Sequence, residues 1–452
     1  MNRIYASLLL IVALFVACQP DDKLDSSDNS NNGNQTGDEY PKLELTKNVF
    51  DYYYLWYETL PSTIDYSSYD DTYESINKWI DDVKYEKDRW SFAMSYTDFS
   101  NYYSGNASES WDAFFFLVQT NSQIISGQNY MLFVREVQKD GAFGKAGYKR
   151  GDIIASINGK SIDDLSNSEI NSLINDNSSL SFGFYKNGEI KEATLAKSNY
   201  TMNTVLKDTI YNVNNAKVGY LAFSEFISTS KAELENVFAD FKSANVSDVI
   251  LDIRYNGGGQ VDVAEYMCNI FAGNSNNRKL MYKTTHNNKN TTSDESTYFS
   301  TEANGLNLSR LFVITTNRTA SASEMVINSL TPYMTVLLVG DTTHGKPVGM
   351  EPRYNEKLDW IVAPITMSDV NADGYGGFFD GLPVNKKAND NYTVDWGDTN
   401  DDCIHQALYY IENGSFEEEA AISRKSLHLD TKVSIATRQK AQGMLKAAVE
   451  ID

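Results

Sequence analysis

Residues 318–346 read RTASASEMVINSLTPYMTVLLVGDTTHGK. An apolar run at 311–316 comes just before and predicts a buried strand bounded by polar residues. The small residues Thr319-Ala320-Ser321-Ala322-Ser323 then open into Glu324-Met325-Val326-Ile327-Asn328-Ser329-Leu330, which has helical spacing and is limited by Pro332. A second apolar run at 335–340 predicts another strand, and its exit loop carries Lys346. Strand, elbow, helix, strand and loop make a compact α/β unit that can bring a serine near a lysine. A serine hydroxyl is a poor nucleophile until a base takes its proton. A lysine in a loop is ordinarily solvated, but it becomes such a base where burial disfavours its charged form. Ser321 and Lys346 are the candidate nucleophile and base.

Upstream, 218–223 predicts a strand, and Ser230-Lys231-Ala232-Glu233 opens a helix whose Leu234, Val237, Phe238 and Phe241 recur at core-facing intervals. Ser230 with Glu233 has the spacing of a capping box, a better account of Ser228-Thr229-Ser230-Lys231 than a second serine–lysine site. The apolar run at 248–254 then enters Asn256-Gly257-Gly258-Gly259, where glycine lets backbone approach a ligand closely. Further upstream, residues 142–160 predict a short helix ending at Gly147, a turn at Arg150-Gly151-Asp152, a strand, and a hairpin at Asn158-Gly159.

Together these pieces resemble the carboxy-terminal processing (tail-specific) serine protease family with an inserted PDZ domain. The resemblance is carried by Ala320-Ser321-Ala322-Ser323-Glu324, by Gly345-Lys346 at 25 residues after Ser321, and by Asp252-Ile253-Arg254-Tyr255-Asn256-Gly257-Gly258-Gly259. The PDZ-like stretch and Asp380-Gly381-Leu382-Pro383 complete it. It implies an α/β multidomain chain: a helical N-terminal region at 41–110, a PDZ-like β domain at 111–200, and a ClpP/crotonase-like protease core at 201–413. It also implies a Ser321–Lys346 dyad, oxyanion donors at Ala322 and Gly258, a polypeptide substrate and no cofactor. Residues 414–452 read as a charged tail ending in a helix near 439–449.

Two positions depart from the family pattern. The family often carries a glutamine four residues after the lysine, where this chain has Met350. The expected carboxylate-binding loop of the PDZ is glycine-rich, whereas the nearest stretch here is Asp112-Ala113-Phe114-Phe115-Phe116, with an aspartate that would repel a carboxylate. These departures keep a second reading open, a catalytically weak or inactive surface protein that binds peptides. His344 precedes the lysine by two residues, where packing is its expected role. Asp369, Asn371, Asp373 and Asp380 have calcium-loop spacing, without clear flanking helices.

The chain of 452 residues is acidic, with 61 acidic against 39 basic side chains, and lacks the basic stripe of a nucleic-acid binder. Residues 1–17 form a signal peptide with Arg3 ahead of an apolar run too short to span a membrane well. Phe15-Val16-Ala17-Cys18 resembles a lipobox, which implies lipidation at Cys18, and the polar stretch to residue 40 reads as a tether. Asp21 and Asp22 resemble an acidic signal for the outer cell surface, so the expected location is the cell envelope, as an outer-membrane lipoprotein. The remaining cysteines, Cys268 and Cys403, form no CxxC pair and would bridge only if the fold joins them.

Overall fold

The computed structural model describes residues 39–418, 432–435 and 443–451. The expected signal peptide, Cys18 and Asp21/Asp22 lie outside these residues. Residues 40–451 fall in one compact unit.

The core is built on a sheet with strand order Val205–Val213, Ala216–Phe223, Asp248–Asp252, Arg310–Thr315, Thr335–Gly340 and Lys386–Lys387. Its strands run parallel except for the first, which pairs antiparallel at the edge. The inner strands are apolar through their middles, as both covered faces require, with polar residues at their ends. Helices Ser230–Ala244, Val261–Ala272 and Ala322–Leu330 bury one face, and helix Asp402–Asn413 packs on the other. Cys268 and Cys403 lie on these opposite sides as buried free thiols.

Residues 113–196 form an antiparallel PDZ-like sheet around Phe115, Phe143 and Phe182. Its Asn158-Gly159 turn has positive φ at both residues, as a tight hairpin requires. Asp112 is turned inward, accepting the Phe143 and Gly144 N–H groups at 3.0 and 2.9 Å. It organises the short helix Ala142–Lys145 and does not present a charge to a ligand, because four unpaired donors at a helix start attract a carboxylate.

The N-terminal region contains helices Pro41–Tyr53 and Tyr73–Val83, as expected, but also the strand Phe92–Ser95. That strand pairs with Trp360–Ala363 of the core, so the two regions share one apolar cluster.

Two local expectations are corrected. Glu233 does not cap its own helix; its Oε2 accepts from Thr204 N, Thr204 Oγ1 and Val205 N, while Ser230 Oγ donates to Glu225 O. The described part of the tail is not helical but holds strands Gly443–Leu445 and Val449–Glu450. The first completes the order Gly258–Gln260, Gly443–Leu445, Val348–Met350, Ile365–Asn371, Leu280–His286, Glu295–Tyr298. Two sheet edges with unpaired N–H and C=O groups outcompete a helical preference of a few tenths of a kcal/mol per residue.

Candidate active site

Ser321 is the N-cap of the helix Ala322–Leu330, with φ 61° and ψ −114°. A side chain in this region stores roughly 1–3 kcal/mol of strain and persists only where surroundings enforce it. The enforcement is visible. The Ala320 N–H donates to Asn256 O at 3.1 Å, Ser323 Oγ donates to Asn256 O at 3.0 Å, and Thr319 Oγ1 donates to Ile253 O at 2.9 Å. The elbow is thus pinned to the strand end that carries the glycine turn. Ser321 Oγ is buried and has no hydrogen-bond partner among the described residues.

Lys346 is 1% exposed, and it lines the same tight cavity as Ser321. Burial pushes its amine down to about 7, against the pull of Asp88 and then Glu324, which favour the charged form. Its Nζ stands 5.4 Å from the Trp90 ring centroid. The loop before it closes on Gly345, whose φ is +84°; a Cβ there would fall 2.3 Å from Phe379 O, so only glycine fits against the Asp380-Gly381-Leu382-Pro383 turn.

Glu324 links the two. Its Oε2 accepts from Ser321 N and Lys346 N, both at 2.8 Å, and its Oε1 accepts from Gly345 N at 2.7 Å and from Thr343 Oγ1 at 2.5 Å. Burial pushes this carboxyl above its usual range while the four donors pull it back. The spacing of Glu324 after Ser321 is visible in the sequence, but its partners 19–22 residues onward are not.

Met350 is buried in the apolar cluster shared with the N-terminal region, where it orients nothing polar. The carboxylate that acts on Lys346 from this side is Asp88. Its oxygens accept from Tyr54 Oη at 2.8 Å, Trp90 N at 2.9 Å, Ser91 N at 3.0 Å and Ser91 Oγ at 2.5 Å. Sequence reasoning missed it inside a run taken as helical. The Asp-x-x-Ser spacing was the available signal, since Asp binds backbone two and three residues on. His344 is held below its usual pKa by burial and by Arg89, and its Nε2 accepts from Trp90 Nε1 at 3.1 Å. It packs as the sequence led us to expect.

The glycine turn lies against the elbow: a Cβ on Gly258 would meet Ala322 N and Ser321 Cβ at 3.0 Å. The Gly258 N–H donates to Asn256 Oδ1 at 2.9 Å. Below it, Arg254 is buried among Asp252, Asp401 and Asp390 at 2.7–3.0 Å. Arg150, from the turn in the PDZ-like sheet, reaches Asp390 at 2.8 Å and Tyr255 Oη at 3.0 Å. A single ionic network therefore joins the PDZ-like sheet to the residue before Asn256. Between these parts runs a groove of about 1090 Å³ whose lining includes Phe114, Arg135, Tyr255, Gly257, Trp90 and Lys346.

The calcium-like residues are used otherwise. Asp369 is buried and accepts from Thr284 Oγ1 at 2.7 Å, and Asn371 bonds Asn328 and caps its own turn through Asp373 N and Tyr375 N. Among the described residues no group of three or more His, Cys, Asp or Glu could hold a metal ion.

The peptidase family S41 model matches residues 217–367 and the PDZ domain model matches residues 117–181. The chain is 26% identical over 275 residues to a carboxyl-terminal-processing peptidase of Arabidopsis thaliana chloroplasts, covering 57% of this chain and 54% of that protein. It is 25% identical over 223 residues to a protein named as a CtpA-like serine protease in Staphylococcus aureus, covering 49% and 43%. The chain spans about half the length of these curated relatives. A solved S41-family chain from Bacteroides fragilis superposes with a TM-score of 0.69 at 25% identity, over 82% of this chain and 97% of that one. Fold and matches define a peptidase S41 core bearing a PDZ domain. In this arrangement the chain is similar to the carboxy-terminal processing proteases in their PDZ-containing form.

Proposed function

We propose that this chain is a serine endopeptidase with a Ser321–Lys346 dyad, cleaving unfolded or C-terminally exposed polypeptide outside the cytoplasm while tethered through Cys18. The observation that carries the reading is Lys346, a fully buried amine brought to about 7 beside a strained serine whose hydroxyl has no partner among the described residues. At neutral pH a large share of such an amine is unprotonated and able to accept a proton.

Ser321 Oγ–H gives its proton to Lys346 Nζ as Oγ bonds to the scissile carbonyl carbon, and the carbonyl electron pair moves to oxygen. The Ala322 N–H, at the start of its helix, donates to that oxyanion with a favourable dipole. Gly258 is the second donor in this reading; its N–H must turn from Asn256 Oδ1 to serve. The Lys346 ammonium then protonates the leaving nitrogen as the C–N bond breaks. The neutral amine next takes a proton from water, which attacks the acyl-serine ester, and the proton returns to Ser321 Oγ. The PDZ domain receives polypeptide by strand addition.

The occupied Gly258 N–H and the apolar Met350 favour a rival in which the same groove binds peptide without turnover. The test compares protein lacking residues 1–18 with its Ser321→Ala and Lys346→Ala variants on an unfolded substrate. Loss of cleavage in both is expected. Cleavage that survives both removes the dyad, and peptide binding without cleavage in any form favours the rival. For the anchor, a Cys18→Ser protein is expected to leave the membrane fraction and lose its lipid mass.

A further inference from the structure

The slot between the glycine turn and the lysine loop is already filled. Strand Gly443–Leu445 lies between Gly258–Gln260 and Val348–Met350, parallel to both, with Met444 opposite Gly259 on one side and Gly349 on the other. Strands in a sheet are ~4.8 Å apart, so these two edges stand one polypeptide's width from each other. Met444 lines the same cavity as Ser321 and Lys346, with Tyr282, Met325 and Phe378. Gly349 lies under both Met367 and Met444: a Cβ there would come within 2.4 Å of Met367 Cε and 2.9 Å of Met444 Cε.

The same tail engages the other polypeptide-receiving surface. Residues Lys432–Ile435 pair antiparallel with Ala113–Gln119, the outer strand of the PDZ-like sheet, beside the helix Asn167–Asp176. An extended segment laid on a sheet edge next to a helix is the way a PDZ domain takes a peptide. Past the cavity the tail is held further. Lys446 N donates to Met350 O at 3.1 Å, Val449 N to Pro352 O at 2.9 Å and Ile451 N to Tyr354 O at 2.8 Å, and Lys446 Nζ pairs with Glu295.

We propose that the chain's own C-terminal segment is a built-in occupant of the polypeptide path, with residues 432–435 on the PDZ edge and 443–445 in the slot beside Ser321, so that the site is closed until the tail is displaced. An incoming polypeptide takes the same path in extended form and places an unbranched apolar side chain where Met444 sits. A tethered ligand acts at an effective concentration in the millimolar range, so an ordinary free substrate competes poorly with it. The inference rests on the reading of the site as one that receives polypeptide, and its test separates binding from cleavage.

The experiment uses the 452-residue chain carrying Met444→Glu, which puts a charge into that cavity, or Ser434→Pro, which sets a proline in the strand at the PDZ edge. Cleavage of a fluorescein-labelled unfolded polypeptide is measured in the active chain, and its binding in a Ser321→Ala background, with near-UV circular dichroism to follow folding. At least a tenfold gain in binding and in cleavage is expected for Met444→Glu, with a smaller gain for Ser434→Pro. Gained binding with no cleavage in any form supports the occupied path and removes the proteolytic reading. Unchanged or weaker binding in folded Met444→Glu overturns the proposal. If that variant does not fold, Ser434→Pro decides, and unchanged binding there, or failure of both to fold, overturns it by making the tail a structural strand.

Discussion

Ser321 and Lys346 are tied to one atom: Glu324 Oε2 accepts the backbone N–H of each at 2.8 Å. The strained elbow and the lysine loop are therefore held together, and their register does not depend on any contact between the two side chains. Glu324→Gln keeps the volume but replaces one acceptor oxygen with an NH₂ facing the donors. Each lost charge-assisted bond is worth ~1.5–3 kcal/mol. The variant should lose roughly 3 kcal/mol of stability in chemical denaturation, and kcat should fall about 100-fold with KM little changed, because positioning and not binding is impaired.

The pH dependence follows from Lys346. With its amine at about 7, kcat/KM should rise through neutral pH as the proton leaves and level off in mild alkali. Asp88 is the first-named charge holding that value up, so Asp88→Asn should move the rising limb to lower pH. A limb that stays in place in a folded Asp88→Asn chain excludes Asp88 as the carboxylate acting on the base.

The buried amine also costs stability. In the unfolded chain Lys346 binds its proton up to about 10.5, but in the folded chain only up to about 7, so between these values the unfolded state holds more protons and stability rises with pH. Below about 7 the penalty is constant and greatest. Lys346→Met should stabilise the chain by on the order of 3 kcal/mol at pH 7, and the gain should shrink as pH approaches 10. Urea titrations of both forms at several pH values measure this directly.

Arg150 is the buried cation between the PDZ-like sheet and the core, beside a more exposed Lys149–Asp395 pair. Arg150→Ala leaves Asp390 still paired with Arg254 and Tyr255 Oη, so no carboxylate is stranded and the loss should be roughly 2 kcal/mol, less than for an orphaned buried charge. Hydrogen exchange in residues 113–137 should accelerate while the core strands at 248–252 and 310–315 remain protected. A double-mutant cycle with Asp390→Ala gives the coupling.

The elbow, the two flanking strands, the glycine turn, the PDZ hairpin and the candidate pairing of Ser321 with Lys346 are legible in the residues alone. These are local matters: apolar runs, a proline limiting one helix, and glycines where backbone must be left-handed or close to a neighbour. What surrounds them was set by contacts between distant parts of the chain. Asp88 reaches the lysine across more than 250 residues of chain, Arg150 reaches Asp390 across 240, and no periodicity reports such distances. Asp112 was read as facing a ligand because its sequence neighbours lie in a binding loop, yet an unpaired helix start drew it inward. The tail was read as a helix because helix propensity is a property of the segment alone. The two sheet edges that make residues 443–445 a strand belong to stretches about 100 and 185 residues earlier. Local preference was outweighed by hydrogen bonds whose partners meet only in the fold.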